Sequence, residues 1–478
     1  MKRYIGITIF ITLFISTVSI IAILTARGYN FAGTEIKESG ILNITSNPNT
    51  SEIYINNEKK TTTPNKIELI SGEYEIKVVK DGYSDWKKKI LIEPTIVTDI
   101  AVTLFPEELK LEQLTFTNID NAFFSENGSY VIYTIHTEPN KGIWLAKLEK
   151  SIFELSSSPA AKITNLDILP EYCIENSNMN IIFSSSNNKV IISCNSGSNI
   201  SYTLLDIENT NNKPININEE INFNPQKIDF SFNDDNLFIY GDNFIGNFNT
   251  NSKELNLISL FNQENPVFLT PFKDTYLILE KSYDGESNLL YQLDSNLKKN
   301  LINISDKLVT NSIKKIYGSK YNTFVVITTD NNTSSIINLE QIPSNDIYLV
   351  TESLIDILSW SNDGKAFLYT EDNILKSAII KTEYNVQFKV ETYTLIENYS
   401  IESFDISWTK NSRQIIIYDF INKTIYITDK DSSNHRILYS NEAILPLSYK
   451  LSENETFLVL ILKDDKDYSN LYSLKLKI

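Results

Sequence analysis

Few residues of this sequence combine the types and spacings from which an active site or a metal site is built. The 478-residue chain has two histidines, His136 and His435, which are far apart along the sequence. Its two cysteines, Cys173 and Cys194, form no CxxC pair, so a zinc site assembled from these four residues is not expected. The cysteines form either one disulfide in an oxidising compartment or two buried free thiols, and the sequence leaves both open.

The motifs of common catalytic folds are also missing. No G-x-S-x-G nucleophile elbow, P-loop or G-x-G-x-x-G turn is present. The segment DDKDYSN, Asp464 to Asn470, begins like a calcium-binding loop. It lacks the glycine at the sixth position and the closing glutamate, which predicts a polar hairpin turn instead. We therefore predict no catalytic, cofactor-binding or metal-binding residue, no cofactor, and a protein that is not an enzyme.

The composition indicates a folded, strand-rich chain of about three domains. Apolar residues make up 42 % and charged residues 22 %, a balance that supports hydrophobic cores. Tyr, Phe and Ile are abundant, whereas Gly and Pro number only 14 and 13, and branched and aromatic side chains favour strands. The formal net charge of −17 would repel phosphates, which argues against a nucleic-acid partner.

The first residues predict a membrane anchor with the lipid bilayer as its partner. Residues 4–24 are uncharged and, as a helix, would extend about 31 Å, close to the thickness of a bilayer core. A cleaved signal peptide is the alternative, but its apolar region is normally shorter. Lys2 and Arg3 precede the span and one arginine follows it, which places the short tail of residues 1–3 in the cytoplasm. The prediction is a single-pass protein of the plasma membrane, with a polar stalk over 25–39 and an extracytoplasmic remainder.

Residues 40–106 predict a small β-sandwich. Runs such as ILNIT, EIYIN, YEIKVVK and WKKKILIE alternate apolar and polar side chains, with turn residues between them. Tyr74, Ile76 and Val78 share one face of their strand. Such a period of two places one face of an antiparallel sheet in a core and the other in water.

This segment resembles the PEGA domain, a small bacterial β-sandwich of surface and envelope proteins. The matching elements are a serine and a proline after the first strand, a Thr-Pro pair before the third strand, and two glycine–tyrosine corners: Ser46, Pro48, Thr63-Pro64, Gly72-x-Tyr74 and Gly82-Tyr83. Of the Pro-Glu-Gly-Ala tetrapeptide that names the family, only Pro48 remains. The resemblance implies a module for contacts at the cell envelope and supplies no catalytic residue.

From residue 107 to 478 a large apolar residue, a polar turn and an apolar strand recur together. The clearest copies are FSENGSYVIYT, FNDDNLFIYGD, WSNDGKAFLYT, WTKNSRQIIIY and LSENETFLVLI, with the marker residues Asn127, Asp235, Asp363, Asn411 and Asn454 at their fourth positions. Weaker copies lie around Asn187, Asp274 and Asn322. A period in the forties is typical of the four-stranded blades of a propeller, and the markers predict eight blades, with seven as the alternative.

The repeats resemble the WD40-like or TolB-like propellers of bacterial envelope proteins. A β-sandwich array or a β-solenoid is the rival fold. Trp360 and Trp408 open two of the copies, and this repeat position predicts that they belong to the core. The predicted fold class is therefore all-β: a transmembrane helix over 4–24, a PEGA-type sandwich over 40–106, and a propeller over 107–478.

These elements predict a membrane-anchored binding or scaffold protein. Its propeller would present loops to an envelope protein or a cell-wall polysaccharide. The alternative is a propeller enzyme acting on polysaccharide or peptide. With 60 acidic residues in the chain, some carboxylates are expected at the central funnel, and a glycosidase would need two of them about 5–10 Å apart.

Overall fold

The computed structural model describes residues 2–26, 29–32, 35–148, 160–175, 179–197, 200–262, 267–281, 288–294, 296–302, 313–341, 347–382, 388–400, 402–464 and 466–476. Parts of the predicted tail and stalk, residues 1, 27–28 and 33–34, lie outside these ranges. The chain divides into two compact units. The first is Met1–Lys110 together with Lys475–Ile478, and the second is Leu111–Leu474.

The first helix, α1, spans Lys2–Ala26, and its side chains are described over residues 7–23, where all of them are exposed. Among the described residues, no helix is both long enough and apolar enough to cross a bilayer. The predicted transmembrane helix over 4–24 is therefore wrong. The plasma-membrane location, the cytoplasmic tail and the extracytoplasmic remainder were predicted from that helix and are withdrawn with it.

In the first unit, the described strands form two four-stranded sheets. One contains Tyr29–Ala32, Glu35–Asn47, Asn65–Ile70 and Val97–Thr103; the other contains Glu52–Ile55, Glu58–Thr62, Gly72–Val79 and Trp86–Ile92. The strand pairs are antiparallel except that Glu35–Asn47 runs parallel to Val97–Thr103, with Ile41 opposite Val97. The alternating pattern is confirmed, because Ile76 and Val78 are fully buried and Tyr74 packs against the same core.

Three buried hydroxyl side chains meet where the first sheet passes to the second, and we name them the hydroxyl cluster: Ser46, Ser51 and Thr63. The hydroxyls of Ser46 and Ser51 both donate to the carbonyl of Pro48, at 2.5 and 2.8 Å. Thr63 Oγ1 lies 2.5 Å from Ser46 Oγ and accepts the backbone N–H of Ser51 at 3.0 Å. Two residues of the PEGA-like pattern, Ser46 and Thr63, are therefore hydrogen-bonded to each other in the interior of the domain.

The second unit consists, over its described residues, of eight four-stranded sheets, numbered here as blades 1 to 8. Blades 1 to 4 contain Asn121–Phe124, Tyr130–Ile135, Gly142–Lys147 and Ala161–Thr164; Met179–Phe183, Lys189–Asn195, Ile200–Asp206 and Ile215–Asn216; Lys227–Phe230, Asn236–Tyr240, Phe244–Asn249 and Glu254–Leu260; Phe268–Phe272, Thr275–Lys281, Asn288–Leu293 and Lys299–Leu301. Blades 5 to 8 contain Ile313–Tyr317, Phe324–Thr329, Ser334–Asn338 and Ile347–Thr351; Asp356–Trp360, Ala366–Glu371, Ile374–Thr382 and Phe388–Ile396; Phe404–Trp408, Gln414–Asp419, Thr424–Asp429 and Arg436–Ser440; Ile444–Leu451, Phe457–Lys463, Ser469–Lys475 and Leu111–Gln113.

Consecutive blades share hydrophobic cores, and the series closes on itself. Six clusters join blades 1 to 7 in chain order. Blades 7 and 8 meet through the rings of Tyr418 and Tyr449, whose centroids are 5.8 Å apart, and Val459 of blade 8 packs with Val131 of blade 1. Leu111–Gln113 completes blade 8 by pairing with its last C-terminal strand. The predicted propeller is confirmed, with eight blades among the described residues.

Short helical segments lie between strands of the propeller: α2 (Glu171–Glu175), α3 (Ile217–Ile221), and the 3-10 turns Leu166–Ile168 and Leu339–Gln341. Cys173 of α2 forms a disulfide with Cys194 of blade 2, and both are buried. The structure therefore favours the first of the two cysteine alternatives. By restricting the unfolded chain, a cross-link over a loop of this size stabilises the fold by about 3 kcal/mol.

Candidate functional site

The turn between the first and second strands of a blade, here called its first turn, is built around a buried hydroxyl. In blade 6 the Ser361 hydroxyl accepts the N–H of Ala366 at 2.9 Å and donates to the Asp363 carboxylate at 2.7 Å. The same pair of bonds recurs in blades 1, 7 and 8, through Ser125 with Asn127, Thr409 with Asn411, and Ser452 with Asn454. Four of the marker residues thus accept a hydrogen bond that closes the first turn.

The remaining first turns differ in detail. In blade 3, Ser231 Oγ accepts the N–H of Asn233, so Asn233 occupies the marker position rather than Asp235. In blade 5, Ser319 accepts the N–H of Tyr321. Blade 4 joins its strands by a tight turn at Lys273 and Asp274. Local insertions and deletions therefore shift the repeat in blade 3, although its copy is clear in sequence, and in the weaker copies of blades 4 and 5.

Neighbouring first turns contact each other around the ring. The Ser129 hydroxyl of blade 1 donates to the Glu453 carboxylate of blade 8 at 2.6 Å. Gly128 has φ +72°, and a Cβ there would lie 1.9 Å from the Leu451 carbonyl oxygen, so only glycine fits. These contacts fix the first turns of blades 1 and 8 relative to each other.

Two adjoining cavities of about 400 and 440 Å³ lie at the first-turn end of the propeller, and we call them together the first-turn cavity. Their volumes fall at the lower end of the range for small-molecule sites. The lining comes from six or more blades. Side chains shared by both cavities include Glu126, Lys320, Tyr321, Ser407, Trp408 and Lys450.

One ion pair joins opposite sides of the ring. Lys320 lies in the first turn of blade 5 and Glu126 in that of blade 1, which face each other in a ring of eight, and their side chains meet at 2.6 Å. The Glu126 side chain is 77 % exposed, whereas that of Lys320 is 34 % exposed. Burial alone would lower the pKa of Lys320, but the Glu126 carboxylate, together with Tyr321, more than offsets this, so the pKa is raised. Glu126 therefore acts as the counter-ion of Lys320.

Lys450, near the end of the first strand of blade 8, lacks such a counter-ion. It is partly buried, and no carboxylate of the described residues lies within 4.0 Å of its ammonium group. Burial lowers its pKa, and the nearby Lys320 adds to this, while Glu126 and Asp405 partly counteract it. The cavity thus contains an ammonium group whose charge the protein compensates only from a distance.

Trp360 and Trp408, predicted as core residues, pack against the hydrophobic clusters of blades 5 to 7 and also line the cavity. The Trp360 ring lies 5.0 Å from that of Phe367. The indole N–H groups of both tryptophans and the hydroxyl of Ser359 are buried and, among the described residues, have no hydrogen-bond partner. Each such group costs about 1–3 kcal/mol. The cavity wall is therefore not optimised for stability.

Among the residues that the structure describes, three carboxylates line the cavity, and each has a hydrogen-bond or ion-pair partner. Glu126 pairs with Lys320. Glu453 accepts the Ser129 hydroxyl, and its other oxygen lies 3.6 Å from the Lys410 ammonium. Glu455 accepts the backbone N–H of Lys410. Acidic residues are thus present at the funnel, as the enzyme alternative expected, but all three already have donors.

The two histidines and the segment Asp464 to Asn470, which the sequence singled out, are not among the residues that line the first-turn cavity. His136 Nδ1 is 3.7 Å from Asp120, and His435 stacks on Tyr426, where burial lowers the pKa of His435. Asp464 accepts the backbone N–H of Lys466 within a hairpin between two strands of blade 8. Within the part of the chain that the structure describes, no group of three His, Cys, Asp or Glu side chains is arranged to hold a metal ion.

Sequence reasoning missed the charged residues of the cavity, although a signal for them exists. In the triplets Ser125-Glu126-Asn127, Ser319-Lys320-Tyr321, Thr409-Lys410-Asn411 and Ser452-Glu453-Asn454, the charge always follows the turn hydroxyl. Three of these triplets have the form Ser/Thr-x-Asn, and the middle position lines the cavity each time. Aligning the repeats on the hydroxyl would have grouped these residues. Lys450 lies outside the triplet and has no comparable signal.

Residues 39–108 match the PEGA domain family. Among curated proteins, none matches this sequence. Similar solved structures include an oligogalacturonate lyase in complex with manganese (10 % identity, 77 % of this chain and 98 % of that chain, TM-score 0.39) and the WD40 domain of SCAP from fission yeast (10 %, 77 % and 94 %, TM-score 0.43). A eukaryotic initiation factor is also similar (13 %, 76 % and 90 %, TM-score 0.45). Similarities of this degree carry no argument about activity. By its own strand pairing and its family match, the chain combines a PEGA domain with a β-propeller.

Proposed function

We propose that this protein is a binding protein whose propeller holds a saccharide unit or a short peptide segment in the first-turn cavity. The observation that carries this proposal is the composition of that cavity. Trp360, Trp408 and Tyr321 supply apolar aromatic walls, and hydroxyl, amide and ammonium groups stand beside them. Binding sites for small polar ligands combine such walls with a few polar groups that fix orientation.

Binding without turnover is supported by the state of the carboxylates. Glycoside hydrolysis needs one carboxylic acid to protonate the leaving group and a second carboxylate as base or nucleophile. In the first-turn cavity, Glu126, Glu453 and Glu455 are instead occupied by Lys320, by the Ser129 hydroxyl and by the Lys410 backbone. We therefore propose that the protein is not an enzyme.

Titration of the protein with a panel of oligosaccharides and short peptides, followed by tryptophan fluorescence and calorimetry, tests this proposal. The chain has four tryptophans, of which Trp360 and Trp408 line the cavity. We expect a bound ligand to change the fluorescence, and Trp408→Phe to weaken binding about ten-fold through loss of an aromatic wall. Trp144→Phe, in blade 1 outside the cavity, is the matched control and leaves binding unchanged.

Chromatography of the ligand after incubation separates binding from catalysis. The proposal expects the ligand to be recovered intact. Consumption of the ligand, abolished by Glu126→Gln, would establish the enzyme alternative instead. A panel in which no member binds contradicts the proposed function.

A further inference from the structure

We propose that the ligand of the first-turn cavity carries a compact negative group, a carboxylate or a phosphate, which binds between Lys320 and Lys450 and takes the place of Glu126. This inference rests on the proposed function and specifies the chemistry of its ligand. It does not depend on whether the rest of the ligand is a saccharide or a peptide.

The first step in the argument is the distribution of charge among the three lysines of the cavity. Lys410 has the Glu453 carboxylate at 3.6 Å, and Lys320 has the Glu126 carboxylate at 2.6 Å. Lys450 has no ion-pair partner among the described residues, although it lines both halves of the cavity. An ammonium group in this setting gains most from an anion that enters the cavity, because charge-assisted hydrogen bonds are the strong ones.

The second step concerns Glu126, whose carboxylate pairs with Lys320 in the way that the carboxylate of a bound ligand would. It crosses the mouth from the blade opposite Lys320, and its side chain is 77 % exposed, so it leaves for water at little cost. Lys320 is held more firmly, because its ammonium group lies 5.3 Å from the ring centroid of Tyr321. An entering carboxylate or phosphate therefore meets a fixed cation and a removable anion.

The third step is that Lys320 and Lys450 influence each other electrostatically. The presence of Lys320 disfavours the charged form of Lys450, while Glu126 and Asp405 favour it. Removing Glu126 without replacing it would leave two neighbouring ammonium groups, with the partly buried Asp405 as the remaining carboxylate that favours the charge on Lys450. An anion placed between the two lysines compensates both charges, which one exposed carboxylate on Lys320 does not.

Calorimetric titration of the full chain with charged and neutral probes tests the inference. Glucuronate and glucose form one matched pair, citrate is a carboxylate without a sugar ring, and inorganic phosphate represents the second anion. We expect at least one anion to bind, with glucose about ten-fold weaker than glucuronate or not detected. Binding of phosphate alone identifies a phosphate site, and binding of the carboxylates alone identifies a carboxylate site; both support the inference.

Three variants separate this role from a structural one. Lys450→Met is expected to weaken anion binding about ten-fold or more, because one charge-assisted hydrogen bond is lost. Glu126→Gln, which removes the internal competitor from an exposed position, is expected to tighten it several-fold. Lys365→Met, an exposed first-turn lysine outside the cavity, leaves it unchanged.

Three outcomes would overturn the inference. If glucose binds as tightly as glucuronate and Lys450→Met has no effect, the cavity binds neutral ligands, and the proposed function stands without the anion. If Glu126→Gln weakens anion binding, Glu126 assists the ligand rather than competing with it. If every probe fails while a member of the oligosaccharide and peptide panel binds, the anion site is disproved and the proposed function stands. Failure of both the probes and that panel removes the proposed function itself.

Discussion

Two groups of polar side chains, both largely removed from water, are treated in opposite ways by this protein. In the hydroxyl cluster of the PEGA domain, Ser46, Ser51 and Thr63 are buried and each has a hydrogen-bond partner. In the wall of the first-turn cavity, Ser359 Oγ and two indole N–H groups are buried and, over the described residues, have none.

The hydrogen bonds of the hydroxyl cluster stabilise the fold, whereas the unpaired groups of the cavity wall do not, so stability does not explain their presence. Buried polar groups normally have hydrogen-bond partners, because an unpaired group loses its hydrogen bonds to water and gains none in the protein. The hydroxyl cluster follows this rule at a junction between two sheets. The cavity wall violates it beside Lys450 and Lys320, and proteins tend to break local rules of this kind at functional sites.

The largest expected effect is the loss of the Thr63 hydroxyl. Thr63→Val keeps the shape of the side chain but removes the acceptor for the Ser51 N–H and the partner of Ser46. We expect the free energy of unfolding of the PEGA domain to fall by about 2–3 kcal/mol. Chemical denaturation followed by the fluorescence of Trp86, which is buried in the same core, measures it. Thr62→Val, at an exposed neighbouring position, should change the stability by less than about 0.5 kcal/mol. Equal losses in the two variants would show that the cluster does not stabilise the domain.

A smaller loss is expected from Ser361→Ala in the first turn of blade 6. The Ser361 hydroxyl accepts the Ala366 N–H and donates to Asp363, so its removal leaves a buried N–H unpaired. We expect the propeller to lose about 1–2 kcal/mol, measured as a lower denaturation midpoint. An unchanged midpoint would mean that the turn closes without the hydroxyl.

Two residues earlier, Ser359→Ala should behave in the opposite way. Because the Ser359 hydroxyl has no partner among the described residues, its removal relieves a desolvation cost. We expect the propeller to be unchanged or stabilised by up to about 1 kcal/mol in the same denaturation assay. A loss as large as that of Ser361→Ala would erase the contrast between paired and unpaired groups.

The smallest effect is a pH dependence that Lys450 contributes. Its pKa is lowered in the folded protein by burial and by Lys320, against Glu126 and Asp405, while the unfolded chain retains the ordinary value near 10.5. Between the two values the unfolded state binds more protons, so stability rises with pH in this window and the full penalty is present below it. Lys450→Met should remove this rise in unfolding curves recorded from neutral pH towards pH 10.5. Persistence of the same rise in the variant would assign it to another group.

The parts of the fold that follow from local pattern were predictable from the sequence. The alternation at Tyr74, Ile76 and Val78 identified one inward face of the sandwich, because the period of a strand is two. The markers Asn127, Asp363, Asn411 and Asn454 identified first turns, because an Asx side chain there accepts the turn hydroxyl.

The candidate site was not predictable, for a geometric reason. Glu126 and Lys320 are 194 residues apart, and they meet only because blades 1 and 5 are opposite in a ring of eight. The sequence allowed seven blades as well, and in a ring of seven no two blades are directly opposite. The ion pair between Glu126 and Lys320 therefore depends on the number of blades. The weak repeats, such as those near Asn187 and Asn322, did not decide between seven and eight. The transmembrane prediction for α1 failed for a different reason, since no helix of the described residues is both long enough and apolar enough to cross a bilayer.

The closure of blade 8 by Leu111–Gln113 sets the order in which this protein can be completed during synthesis. Leu111–Gln113 is the first strand of the propeller to be synthesised. It cannot pair until the last strand, Ser469–Lys475, has also left the ribosome. Until then Val131 and Tyr133 of blade 1 lack the cover of Val459 and Leu471. Nascent or truncated chains therefore expose the apolar faces that blades 1 and 8 bury against each other in the complete ring. Exposed apolar surface of this kind promotes aggregation, so we expect these incomplete chains to depend on chaperones.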